Sequence, residues 1–379
     1  MNRLEALREA GVSIWLDTLS RELLDSGEFA RLIADYAVTG ATSNPTIFAK
    51  AITGSNLYDD ELRAAVGSGL RTPQELFFEL ALDDVRRAAD LLRPAYDESG
   101  GRDGFVSFEC TPDLAHDSGA TIEQALELCE RLARPNVMIK VPATEAGVPA
   151  IEELTAGGVN VNVTLLFSVA RYEQVIDAYV RGLERRLAAG EPLDSIASVA
   201  SFFVSRVDGK VDPLLPGDSG LRGRVAIANA RLAYARYVDR FSEHPCLADA
   251  RWLALREAGA RPQRPLWAST GTKNPAYSDV LYVERLIAPD AINTMPEATL
   301  RAFADHGEVE HALPIAGAAH ASLGRARDAG IDLEAVTSEL EREGVRSFCD
   351  SYHEVLGCIR AKAQTLPVRD GAPAQRAAS

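Results

Sequence analysis

Lysine is scarce in this chain. Of 379 residues, 40 are basic and only five of those are lysines: Lys50, Lys140, Lys210, Lys273 and Lys362. Cysteine is equally sparse, and Cys110, Cys129, Cys246, Cys349 and Cys358 are widely spaced, odd in number and without a C-x-x-C pair. Neither a disulfide framework nor a zinc knuckle is signalled, and a reducing cytoplasm fits best. The six histidines, His116, His244, His306, His311, His320 and His353, form no H-x-x-x-H pair and none ends a predicted strand, which argues against a histidine-bound metal. No uninterrupted run of about 18 apolar residues occurs, so no spanning helix is expected. Met1 to Gly11 reads as a short amphipathic helix with Leu4 and Leu7 on one face, without the apolar core of a signal peptide. No G-x-G-x-x-G or G-x-x-x-x-G-K-[ST] follows a strand, which disfavours a nucleotide-binding fold. Positive charge is the minority sign: 40 − 55 = −15. An acidic surface repels nucleic acid at long range, while a local pocket for a small phosphate needs only two or three basic groups.

Apolar content is ample at 46%. It is organised as short apolar or β-branched runs, each followed by a segment of helical period. Eight such runs predict strands at Ser13–Asp17, Val38–Asn44, Phe105–Glu109, Val137–Val141, Val159–Thr164, Ala197–Phe203, Leu266–Ser269 and Ala291–Met295. Helices are expected between them at Arg21–Tyr36, Gln74–Leu92, Ile122–Ala133, Ala170–Ala188 and Arg222–Glu257. Eight alternating units predict a single (β/α)₈ TIM barrel over residues 1–365 and not two domains. Two connections, 45–104 and 208–265, are longer than a barrel needs and read as insertions. Glu297–His306, Asp332–Glu343 and Val345–Lys362 read as closing helices, forming a carboxyl-terminal helical extension. Residues 366–379, rich in Pro, Ala and Gly, read as a disordered tail.

Every predicted strand carries a polar or charged residue at or near its carboxyl end: Asp17, Asn44, Glu109, Lys140, Asn162 with Thr164, Ser201, Ser269 and Asn293. In such a barrel the carboxyl ends of the strands build the active site, so this ring reads as functional. Along Val159–Thr164 the valines alternate with Asn160, Asn162 and Thr164, which should put the polar side chains inside the barrel around a ligand. The alternative is an edge strand with a solvated face, which suits a closed barrel poorly. Lys140 lies inside the apolar run Val137–Pro142, where an ammonium is costly unless paired or deprotonated. Two readings stay open on residue type: a desolvated amine acting as nucleophile, or a strand-end lysine that reaches water or pairs with Glu109. Asp17 and Glu109 are the carboxylates that could move protons near it, or helix caps and ion-pair partners.

Five segments resemble the transaldolase family: Ser13-Ile-Trp-Leu-Asp-Thr-Leu19, Ala41-Thr-Ser-Asn-Pro-Thr-Ile-Phe48, Met138-Ile-Lys-Val-Pro-Ala-Thr144, Val161-Asn-Val-Thr-Leu-Leu-Phe-Ser168 and Ser201-Phe-Phe-Val-Ser-Arg-Val-Asp208. The likeness continues to Trp267–Pro275 and is closest to the long, bacterial monofunctional form. It implies that Lys140 forms a Schiff base with a ketose donor, that Asp17 moves the hydroxyl proton during carbon–carbon cleavage, and that Glu109 and Thr164 order a catalytic water. It further implies that Asn44 and Asn162 hold substrate hydroxyls, that Ser201 and Phe203 line the donor pocket, and that Arg206 binds the sugar phosphate. The family's Ser-x-Arg after the seventh strand is replaced here by Ser269-Thr270-Gly271, and Lys273 is expected to supply the second cation. The implied substrates are phosphorylated ketoses and aldoses, sedoheptulose 7-phosphate with glyceraldehyde 3-phosphate and fructose 6-phosphate with erythrose 4-phosphate, and no cofactor is needed. A fructose 6-phosphate aldolase and a catalytically silent sugar-phosphate-binding barrel are the competing expectations. Monomer and homodimer both stay open.

Overall fold

A computed structural model describes residues 2–43, 51–52, 54–70, 72–242, 249–309 and 316–365. Eight strands are present among the described residues: β1 Ser13–Leu16, β2 Val38–Thr42, β3 Val106–Glu109, β4 Val137–Pro142, β5 Val161–Leu166, β6 Ser198–Phe203, β7 Arg264–Ala268 and β8 Ile292–Met295. They pair in chain order, all parallel, and β8 closes on β1 through Ser13 opposite Ile292 and Leu16 opposite Met295. The barrel is the expected (β/α)₈ architecture. Its strands read as continuous β-branched runs because both faces are covered, by the barrel interior on one side and helices on the other. In β5 all six residues are buried.

The helices follow the sequence pattern, with informative differences. Leu4 and Leu7 are buried in the helix Arg3–Glu9, whose amino end carries a capping box between Asn2 and Glu5. The segment Arg21–Tyr36 is two helices, Arg21–Asp25 and Glu28–Asp35, because Gly27 between them adopts φ +75° and breaks the hydrogen-bond ladder. The insertion at 45–104 contains Asp59–Gly67 and the long Pro73–Glu98, started by a capping box of Thr72 with Glu75. The expected helix Arg222–Glu257 is described as Val225–Phe241 and Ala250–Glu257. Phe241 of the first packs its ring edge-on to Trp252 of the second, with centroids 4.7 Å apart. The two closing helices Asp332–Glu343 and Val345–Lys362 are one continuous helix, Leu333–Thr365. Gly344 does not interrupt it. A side chain there would meet Leu165 Cδ2 at 2.8 Å, so the glycine lets the helix lie close against β5.

Trp15 fills the lower barrel. A Cβ at Gly40 would stand 2.4 Å from its indole ring, so only glycine fits opposite it on β2. The indole N–H donates to Asp103 at 2.8 Å, at the amino end of the barrel. With the floor filled, the open space lies at the carboxyl mouth. Among the described residues no helix is long and apolar enough to cross a membrane. Asn44 and the tail 366–379 lie outside the described residues.

Candidate active site

Parallel register sets the first layer of the site. Glu109 on β3 stands opposite Lys140 on β4, and Lys140 stands opposite Asn162 on β5. The three side chains therefore lie side by side at one height. Lys140 is 7% exposed and Glu109 9%, so neither charge is left to solvent. The lysine Nζ donates to Glu109 Oε1 and to the Ser43 carbonyl at 3.1 Å. The pairing alternative for Lys140 is thus real, but the lysine also borders a cavity at the carboxyl mouth of the barrel, so pairing and reactivity are compatible.

That cavity has a volume of about 360 Å³ and is walled by Asp17, Thr42, Lys140, Thr164, Phe203, Arg206, Ser269 and Lys273. Ser201 also lines it. At Asp17 the Thr42 hydroxyl donates to Oδ1 at 2.9 Å and accepts from Thr294, 3.1 Å away. The carboxyl borders the cavity yet lies deep in the barrel, and loss of solvation pushes its pKa up to about 6, opposed chiefly by the Lys140 charge.

Asn162 is fully buried beneath the cavity wall. Its amide donates to Ser107 Oγ at 2.9 Å, and its carbonyl oxygen accepts from Ser201 Oγ at 2.6 Å. Two buried oxygens, Glu109 Oε2 and Thr164 Oγ1, have no protein hydrogen-bond partner among the described residues. Both Glu109 and Thr164, with Lys140, border a second, far smaller chamber of about 10 Å³, close to the room one water requires.

The cavity is also lined by two cations. Arg206, from the helix Ser205–Val211 after β6, stacks its guanidinium 5.1 Å from the Phe203 ring centroid. Lys273 comes from the loop after β7. Among the described residues neither forms an ion pair, although Asp17 and Glu343 act on Arg206 at longer range. Burial lowers the pKa of both, and the Arg206 charge lowers that of Lys273 further. Two neighbouring cations without a carboxylate between them form a site for an anion. The loop reaches this position through Ser269, which adopts φ +57°, a conformation unusual for a side-chain-bearing residue. The Ser205 amide donates to its carbonyl at 3.0 Å, and the two hydroxyls lie 2.9 Å apart.

Two polar residues expected around the cavity lie elsewhere. Asn160 precedes β5 at the amino end of the barrel. Its amide donates to the Pro135 carbonyl at 3.0 Å and its oxygen accepts from the Ala197 amide at 2.9 Å, so it ties neighbouring strand starts together. Asn293 accepts from the Thr270 hydroxyl at 2.9 Å and does not line the cavity, whereas the next residue, Thr294, does. Alternation along β8 explains this, since consecutive residues face opposite sides of the sheet. Thr42 and Thr294 follow from the same alternation once the register is known. Phe348 does not: it comes from the carboxyl-terminal helix, and its ring centroid lies 5.9 Å from Lys140 Nζ.

The fold and the cavity thus define a (β/α)₈-barrel protein with a buried amine, two carboxylates and an anion-compatible cation pair at the carboxyl mouth. The family described as Transaldolase/Fructose-6-phosphate aldolase matches residues 14–359. A transaldolase of Saccharopolyspora erythraea is 51% identical over 364 residues, covering 95% of this chain and 97% of that protein. Transaldolase 1 of Streptomyces avermitilis is 49% identical over 367 residues, covering 95% of each, and transaldolase 2 of a Nostoc species 45% over 385, covering 97% and 99%. The chain belongs to the transaldolase/fructose-6-phosphate aldolase family.

Proposed function

We propose that this chain is a transaldolase acting on sugar phosphates, moving a dihydroxyacetone unit from a phosphorylated ketose to a phosphorylated aldose through a Schiff base on Lys140. One observation carries the reading: a single cavity is lined by the buried Lys140 amine and by the Arg206 and Lys273 cations. A substrate with a ketone near one terminus and a phosphate at the other meets both requirements. Arg206 offers planar paired donors to the phosphate, and Lys273 adds a less directional charge.

The steps balance with groups already in the wall. A proton passes from Nζ to Glu109, and the freed amine attacks the ketose C2 carbonyl to give a carbinolamine. Glu109 returns the proton to the departing hydroxyl, water leaves, and an iminium remains. The carboxylate of Asp17 then takes the C4 hydroxyl proton while the C3–C4 bond breaks. The bond's electron pair moves into the iminium, giving an enamine and releasing an aldose. The enamine carbon attacks the aldehyde of a second aldose phosphate, Asp17 returns the proton to the new hydroxyl, and water hydrolyses the iminium. The unpartnered oxygens of Glu109 and Thr164 are the groups suited to hold that water. In this reading Asn162 acts through Ser201, which touches the cavity, and Phe203 presents an apolar wall. Asn44 is assigned to the substrate hydroxyls on the family resemblance alone.

Two measurements test this. Borohydride added with fructose 6-phosphate should inactivate the protein and leave a reduced three-carbon adduct on Lys140; an adduct on another lysine would reject the mechanism. Turnover of fructose 6-phosphate should require erythrose 4-phosphate. Release of free dihydroxyacetone without an acceptor, at a rate comparable to transfer, would instead indicate the aldolase activity that the family also includes.

A further inference from the structure

The carboxyl-terminal helix Leu333–Thr365 crosses the mouth of the barrel and is fastened at several points. Lys210, from the helix carrying Arg206, donates to Glu339 at 3.0 Å and to Glu343 at 2.7 Å. His353 pairs with Asp113 at 2.9 Å, and Lys362 with Asp59 at 2.7 Å and the Ile52 carbonyl at 2.9 Å. Between these ties Gly344 lies against Leu165, a residue held at φ +57° where β5 loses its regular pairing with β6. The helix is thereby set down onto β5, one residue past Thr164.

Phe348 occupies a particular place on this strap. Among the described residues, three that border the small chamber also border the substrate cavity: Lys140, Thr164 and Phe348. Lys140 and Thr164 belong to the barrel. Among the described residues, Phe348 is the only part of the shared wall that is both apolar and supplied by the helix. The chamber otherwise holds Glu109, Cys110 and Val345 against the lysine, with room for about one water.

Resting on the Schiff-base reading above, we propose that Phe348 is a positioning residue that decides the fate of the enamine. Its ring leaves room beside Nζ for the one water that Glu109 and Thr164 hold and keeps further water from the enamine carbon, so the intermediate waits for an aldehyde. Without the ring, water reaches the enamine: it gives a proton to the nucleophilic carbon, and the resulting hydroxide, or a second water, adds to the iminium carbon. The carbon–nitrogen bond then breaks with return of the proton to the amine, releasing dihydroxyacetone. The water taken up balances the one lost on imine formation, so the net reaction becomes ketose to aldose plus dihydroxyacetone, with no oxidant or cofactor. Excluding water to suppress side reactions of a reactive intermediate is a general use of such closures.

The test reads a ratio, free dihydroxyacetone formed per transfer product, from fructose 6-phosphate and erythrose 4-phosphate in the same reaction. The graded series Phe348→Leu, Phe348→Val and Phe348→Ala should raise the ratio stepwise, most for alanine, because each truncation removes more of the water-excluding wall. A ratio is independent of the fraction of folded protein, and the leucine and valine variants keep the test readable if alanine does not fold. Variants that lose rate with the ratio unchanged would overturn the proposal, because a merely structural role slows both outcomes together. Borohydride trapping of the parent separates the two levels. A parent that forms the Lys140 adduct while the variant ratio stays flat overturns the role of Phe348 alone, and a parent that forms none overturns the Schiff-base reading with it.

Discussion

The Thr42 hydroxyl donates to Asp17 Oδ1 at 2.9 Å, yet this bond and the nearby Lys140 charge do not offset the loss of solvation, and the carboxyl is pushed up to about 6. A carboxyl in this state changes charge close to neutral pH, which suits a group that must both take and return a proton.

The first prediction concerns pH. If the ionised Asp17 is the base, kcat/KM rises as pH increases, with an acid limb centred near 6 and a plateau above it. The sign follows from the raised value: below 6 the carboxyl holds its proton and cannot accept another. Asp17→Asn should abolish the limb and lower kcat by about 10²- to 10⁴-fold, the usual contribution of a positioned base. An unchanged limb in Asp17→Asn would assign it to another group.

Glu109 is both the partner of Lys140 and the owner of an unpartnered buried oxygen. Glu109→Gln keeps the shape and removes the proton acceptor. We expect kcat to fall by about 10²-fold or more and borohydride labelling of Lys140 with fructose 6-phosphate to slow alongside it, since Glu109 serves both formation and hydrolysis of the iminium. Labelling and turnover at the parent's rates would remove Glu109 from the proton transfers.

The cation pair predicts a split between substrates. Arg206→Ala should raise KM for fructose 6-phosphate by about 10- to 100-fold, corresponding to a charge-assisted hydrogen bond of roughly 1.5–3 kcal/mol. Dihydroxyacetone, lacking a phosphate, should be nearly unaffected. Lys273→Ala should act in the same direction and more weakly, since an ammonium gives one point of attraction where guanidinium gives paired donors. Steady-state kinetics on both donors checks this, and equal effects on the two would remove these residues from the phosphate site.

Gly40 makes a prediction about stability. A methyl group there meets the Trp15 indole at 2.4 Å, and the ring cannot swing away without breaking its 2.8 Å bond to Asp103. Gly40→Ala should cost about 1–3 kcal/mol, the range for overfilling a packed interior. Urea unfolding followed by tryptophan fluorescence measures the loss, and an unchanged midpoint would show that the barrel floor can relax.

What could be read beforehand and what could not divides along physical lines. The eight strands were legible because a parallel strand covered on both faces must be apolar at nearly every position, and such runs stand out in a linear sequence. Lys140 was legible for the same reason, as a charge inside an apolar run. Strand ends were less certain, because alternation only assigns a side once the register is known. That is why Asn293 was grouped with the cavity, while Thr294 is the residue that lines it.

The sequence by itself determined the barrel, a lysine set inside an apolar strand and, through motifs, the family. The pairing of Arg206 with Lys273 needed closure of the barrel, since 67 residues separate them and no local pattern links a helix after β6 to a loop after β7. The placement of Phe348 over Lys140 was decided by tertiary structure alone. Its helix pattern shows only which face is apolar. The contact depends on ion pairs and a glycine that set the helix down on one strand out of eight. Local propensity and periodicity are properties of neighbouring residues, whereas which surfaces meet depends on packing of the whole chain.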